Sequence, residues 1–115
     1  MTTPVLNLSF FLDSSPHFNC ESRNVYPQPH ILEKQKTKVI IFGSPILGES
    51  INKERISLDI IKHCGLKKDF ISSLNGEFLI IYVDINKMEI QIANDRFTSI
   101  PLYYYFNSNS FKAYS

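Results

Sequence analysis

An α+β fold, with antiparallel sheet packed against helices, is what the sequence predicts, and three stretches predict it. Residues 78–83 (FLIIYV) are apolar at every position, so both alternating faces of one strand require cover. Met88, Ile90 and Ile92 alternate with Glu89, Gln91 and Ala93 just after the turn residues 84–87, as expected of a strand folding back in a hairpin. Ile56, Ile60 and Cys64 recur at four-residue intervals, the spacing of one helical face.

Taken in order, residues 1–12 hold the first strand, because residues 5–12 are apolar with Asn7 and Ser9 at alternate positions. Residues 13–37 read as an irregular arm, and Pro16, Pro27 and Pro29 exclude a central strand there. Residues 38–115 carry the helices and the antiparallel sheet. Within them KVIIF (38–42) is a buried strand running into a turn at Gly43, Pro45 and Gly48. Asn52 is placed to cap the helix that follows, Leu58 and Ile61 widen its apolar stripe, and Gly65 marks its stop. Phe70, Ile71 and Leu74 continue at helical spacing as a second short helix ending at Asn75 and Gly76. The strand over 78–83 is expected to be central. Two further strands follow, a Tyr-rich one over 100–106 and one starting at Phe111.

Composition excludes several classes. With 115 residues, 43% of them hydrophobic, the chain suits one packed domain. Twelve basic residues nearly balance eleven acidic ones, and the short run Lys34, Lys36, Lys38 has no interleaved aromatics, so no nucleic-acid partner is expected. The longest apolar runs are too short to span a bilayer, so no membrane partner and a cytoplasmic location are expected. Cys20 and Cys64 form no metal or redox spacing and read as free thiols.

Two motifs carry a family resemblance. The stretch LNGEFLIIYVD (74–84) is similar to the class II glutamine amidotransferase segment in which a helix ends at Leu, a Gly follows, and Phe opens a strand closing on Tyr and Asp. After a hairpin of suitable length, Ala93, Asp95, Arg96, Pro101, Leu102, Tyr103 and Tyr104 match the family's Ala-Arg-Asp-Arg segment with its later Pro-Leu-Tyr-Tyr, whereas Asn94 and Thr98 replace its Arg and Gly. The chain thus resembles the N-terminal glutaminase domain of asparagine synthetase-like proteins over roughly its second half. The resemblance implies a pared-down version of the αββα sandwich of N-terminal-nucleophile hydrolases.

The family's chemistry requires a thiol at the mature N-terminus, whose free α-amino group, with a pKa of about 8, serves as base. Loss of Met1 exposes Thr2 instead, and Thr3 and Pro4 stand where the family has Gly and a strand. Cys20 is not followed by an apolar strand, and His63 and Cys64 are helix neighbours that point to different faces. Asn75, Gly76 and Glu77 imitate a glutamine-binding Asn-Gly-Glu, but their flanks place them at the later junction before the strand. Asp95 and Arg96 read as structural residues that either pair at the surface or pin the loop before Pro101. No catalytic, cofactor-binding or metal-binding residue is therefore assigned, and no cofactor is expected.

The resemblance implies a degenerate, truncated glutaminase-like domain, structural or partner-docking in role, for an amide-forming synthetase. Its partner is expected to be a synthetase-like domain or subunit, or a second copy of itself. Two alternatives stay open: an active amidohydrolase using Thr2, and an unrelated small adaptor domain using its Tyr-rich sheet for contact.

Overall fold

The computed structural model describes the backbone of residues 5–11, 17–23, 29–95, 103–106 and 110–114, and side chains at Ser9 and over residues 29–95. Contacts divide the chain into two compact units, Met1–Gln28 with Pro101–Ser115, and Pro29–Ile100. The first unit holds a four-stranded antiparallel sheet of β1 (Val5–Phe11), β2 (His17–Arg23), β9 (Tyr103–Phe106) and β10 (Ser110–Tyr114), in the order β2-β1-β10-β9. β1 is the expected first strand, and it pairs on both sides, with Leu8 opposite Cys20 and opposite Ala113.

The expectation of an irregular arm over 13–37 is corrected. Two strands lie within it, β2 and β3 (His30–Lys34). The prolines at 16, 27 and 29 flank these strands instead of interrupting them, and backbone pairing satisfies a polar segment as well as an apolar one. β2 ends the order of its sheet, so the narrower expectation, that no central strand lies there, agrees with the topology.

The second unit is built on the antiparallel sheet β3-β4-β7-β8, with β4 at Thr37–Gly43, β7 at Phe78–Asp84 and β8 at Glu89–Asn94. β7 lies inside the sheet, and all seven of its residues are buried, as its two-sided apolar run requires. Cross-strand partners share a face, so Val39, Ile41, Phe78, Ile80 and Tyr82 lie together. Against that face pack Ile56 and Ile60 of α1 (Lys53–Lys62), Leu74, and the half-buried Phe70 and Ile71 of α2 (Lys68–Ser72). Ile40, Phe42, Leu79, Ile81 and Val83, on the opposite face, are also buried. Each such aliphatic side chain contributes about 1.5–3 kcal/mol by leaving water.

α1 begins as the sequence indicates: the Asn52 side chain accepts the Arg55 N–H at 3.1 Å, satisfying one of the unpaired donors of the first turn. Its stop differs by one residue. His63 is the cap, Cys64 takes a left-handed φ of 58°, and the Cys64 and Gly65 N–H groups donate back to Ile61 and Ile60. This is the pairing of a Schellman turn, with Cys64 in the position usually held by Gly. Cys64 is therefore exposed beyond the helix and does not extend its apolar stripe. Leu58 is also exposed, at 44%, because it lies about 200° around the helix from Ile56.

Two further boundaries move. The helix expected to run through Leu74 stops at Ser72, and Leu74–Asn75 forms a short strand, β6, paired with β5 (Ile46–Leu47). Met88 does not open β8. It closes the four-residue turn between Asp84 and Glu89 with φ 52°, while the Asp84 carboxylate accepts the Lys87 N–H at 3.1 Å. No helix among the described residues is long and apolar enough to cross a membrane.

Candidate functional site

The residues singled out by sequence gather where β6 turns into β7. Gly76 has φ +89°, a conformation that strains L side chains, and the place its Cβ would take is occupied by the Ser44 carbonyl oxygen. Beside it the Ser44 N–H donates to the Glu77 carbonyl at 2.7 Å, so the link after β4 and the link before β7 hold each other. Gly76 thus takes a left-handed φ, and a strand, not the expected helix, precedes it. The Asn75-Gly76-Glu77 imitation lies in this turn, with Asn75 paired across β5–β6 to Ile46 and both Asn75 and Glu77 exposed.

Asp95 follows β8 directly and is only 6% exposed. Its Oδ2 accepts the Phe78 N–H at 3.0 Å, and its own N–H donates to the Phe78 carbonyl at 3.0 Å. A carboxylate accepting a buried backbone N–H forms one of the stronger hydrogen bonds available to a side chain. The structural role expected of Asp95 is visible in its pairing with the start of β7, made by a buried side chain. Arg96, Pro101 and Leu102 lie outside the described residues, as does Thr2; Tyr103 and Tyr104 are placed in β9 by their backbone alone.

Around this junction Ile71, Ser72, Leu74, Asn75, Gly76, Phe78, Asn94 and Asp95 line a cleft of about 390 Å³. Sequence reasoning missed it, since α2, β6 and the end of β8 meet only through folding. Periodicity also gives no sign of the latch at Gly65. There the Gln91 side chain accepts the Leu66 N–H at 2.6 Å and donates to Glu89, and it occupies the space a Gly65 Cβ would need.

Cys64 and Cys20 belong to different compact units. Cys64 and His63 are adjacent in the turn after α1, but His63 Nδ1–H donates to the Asp59 carbonyl at 2.8 Å, which ties the ring to its own helix. Cys20 lies on β2, opposite Leu8 in the other compact unit. The ionisation of Tyr82 is displaced: burial, helped by the Asp84 carboxylate, raises its pKa above the ordinary 10.0.

A family model described as a glutamine amidotransferase domain matches residues 49–115, more than half of the chain. No curated protein and no solved structure matches. The match begins just before α1 and includes both motifs, the junction at Gly76 and the Asp95 pairing.

Proposed function

The chain belongs to the glutamine amidotransferase domain family, and on that premise we propose that it serves an amide-forming synthetase as a structural or docking module without hydrolysing glutamine itself. The observation that carries this reading is what the motif residues do. Asp95 accepts the Phe78 N–H through its carboxylate, Gly76 makes room for the Ser44 carbonyl, and Asp84 organises the β7–β8 turn. These roles maintain a scaffold, and none of them requires a substrate.

The exposed thiol of Cys64 supports the same reading. A nucleophile needs a base within hydrogen-bond reach, and among the described residues no hydrogen bond joins the Cys64 thiol to the His63 imidazole. A synthetase-like domain or subunit is the partner this role calls for, with the glutaminase-like domain retained for packing.

The test is ammonia release from glutamine by purified protein whose N-terminal residue has been verified. No turnover above buffer is expected. Turnover abolished by Thr2→Ala or Cys64→Ala would overturn the proposal and establish an active amidohydrolase.

A further inference from the structure

We propose that Asn75 is a site of self-modification, where the main chain slowly converts asparagine to aspartate and isoaspartate and thereby loosens the junction between β6 and β7. Of the asparagines in the chain, Asn75 alone is followed by glycine. A glycine has no Cβ, so nothing shields the Gly76 nitrogen from the carboxamide carbon of the residue before it. That glycine is also obligatory, because its φ of +89° and the Ser44 carbonyl both exclude a side chain. The fold therefore retains the susceptible pair.

The reaction needs water as its only co-reactant. The Gly76 nitrogen, having lost its proton, attacks Cγ of Asn75; a five-membered ring closes, the Cγ–Nδ2 bond breaks, and the nitrogen takes up a proton and leaves as ammonia. Water then opens the ring at one of its two carbonyls. Cleavage of the new bond leaves aspartate, and cleavage of the original peptide bond leaves isoaspartate, with the main chain routed through Cβ and Cγ. Asn75 is exposed, so water reaches the carboxamide and ammonia departs freely. The restraint on the reaction is β6. In extended backbone the next nitrogen lies beside the Cα hydrogen, turned away from Cβ, so the ring closes only when Asn75 rotates out of its strand. β6 is two residues long and Asn75 is its last, the position that opens most readily. Isoaspartate then adds one bond of about 1.5 Å to the main-chain path. The added length falls next to Gly76, where the Ser44 N–H donates to the Glu77 carbonyl at 2.7 Å, and it displaces the turn from that partner. The inference goes beyond the proposed function and does not depend on it. Each chain releases one ammonia without glutamine, so glutamine-dependent turnover remains distinguishable.

The experiment ages the full chain in warm, mildly alkaline buffer and follows every asparagine by peptide mass spectrometry with isoaspartate-specific fragmentation. Two controls run beside it: Asn75→Gln, whose longer side chain closes only a slower six-membered ring, and the blocked pentapeptide Leu-Asn-Gly-Glu-Phe. Aspartate and isoaspartate are expected at residue 75 at least threefold faster than at any other asparagine, and at least threefold slower than in the pentapeptide. The melting temperature of the wild type is expected to fall with conversion, while Asn75→Gln aged equally keeps its own. No conversion at residue 75, faster conversion at another asparagine, or a rate equal to the pentapeptide's would overturn the proposal. An unchanged melting temperature after conversion, or an equal loss in Asn75→Gln, would overturn it as well.

Discussion

Asp95 and Phe78 hold each other by two hydrogen bonds, the carboxylate of Asp95 accepting the Phe78 N–H and the Asp95 N–H donating to the Phe78 carbonyl, both at 3.0 Å. The first strand residue of β7 is thereby fixed to the residue that follows β8. Removing the carboxylate leaves a buried N–H without its acceptor, so Asp95→Ala is expected to cost about 1–3 kcal/mol. Asp95→Asn, which retains a neutral acceptor, should cost less. Urea denaturation of the two variants checks the order, and equal stability of wild type and Asp95→Ala would contradict it.

Gly76 is expected to tolerate no side chain. Its φ of +89° strains any L residue, and a Cβ would also run into the Ser44 carbonyl, a backbone atom without freedom to rotate away. Gly76→Val should lower stability by more than about 1–2 kcal/mol. A melting temperature equal to wild type would show that this junction does not have the conformation described.

The end of α1 makes opposite predictions for adjacent residues. Cys64 adopts φ 58° with its side chain exposed, so Cys64→Gly should remove left-handed strain and stabilise by about 0.5–1 kcal/mol, net of the added freedom of the unfolded chain. Gly65→Ala should destabilise, because its Cβ needs the space of the Gln91 carboxamide that receives the Leu66 N–H. Denaturant midpoints for both variants measure the signs directly.

Tyr82 links stability to alkaline pH. Its folded pKa is raised above 10.0, chiefly by burial and then by Asp84, so above pH 10 the unfolded chain releases this proton more readily than the folded one. The unfolded state then binds fewer protons, and stability falls as pH rises from 10 toward the folded pKa. Tyr82→Phe should flatten that fall while leaving neutral pH little changed. Stability curves of wild type and variant from pH 8 to 11 provide the comparison.

Much of the second unit was legible without coordinates. Two-sided hydrophobicity over 78–83 leaves one physical solution, a strand inside a sheet with both faces covered, and β7 is that strand. Spacing of four placed Ile56 and Ile60 on the buried face of α1, and Asn52 announced the cap it makes. The two motifs located the family before any contact was known, because they preserve the residues that shape a turn or hold a backbone group. What periodicity cannot encode is which remote backbone needs a partner. β2 and β3 have little apolar signal of their own and exist through pairing with β1 and β4. Leu74 leaves its helical spacing because Leu47 offers a strand partner, and Cys64 leaves its apolar stripe because the helix must close its last carbonyls first. The cleft beside Asp95 likewise belongs to tertiary structure: its walls come from α2, β6 and the end of β8, and only the packing of these elements on one sheet brings an apolar wall and a buried carboxylate to the same place.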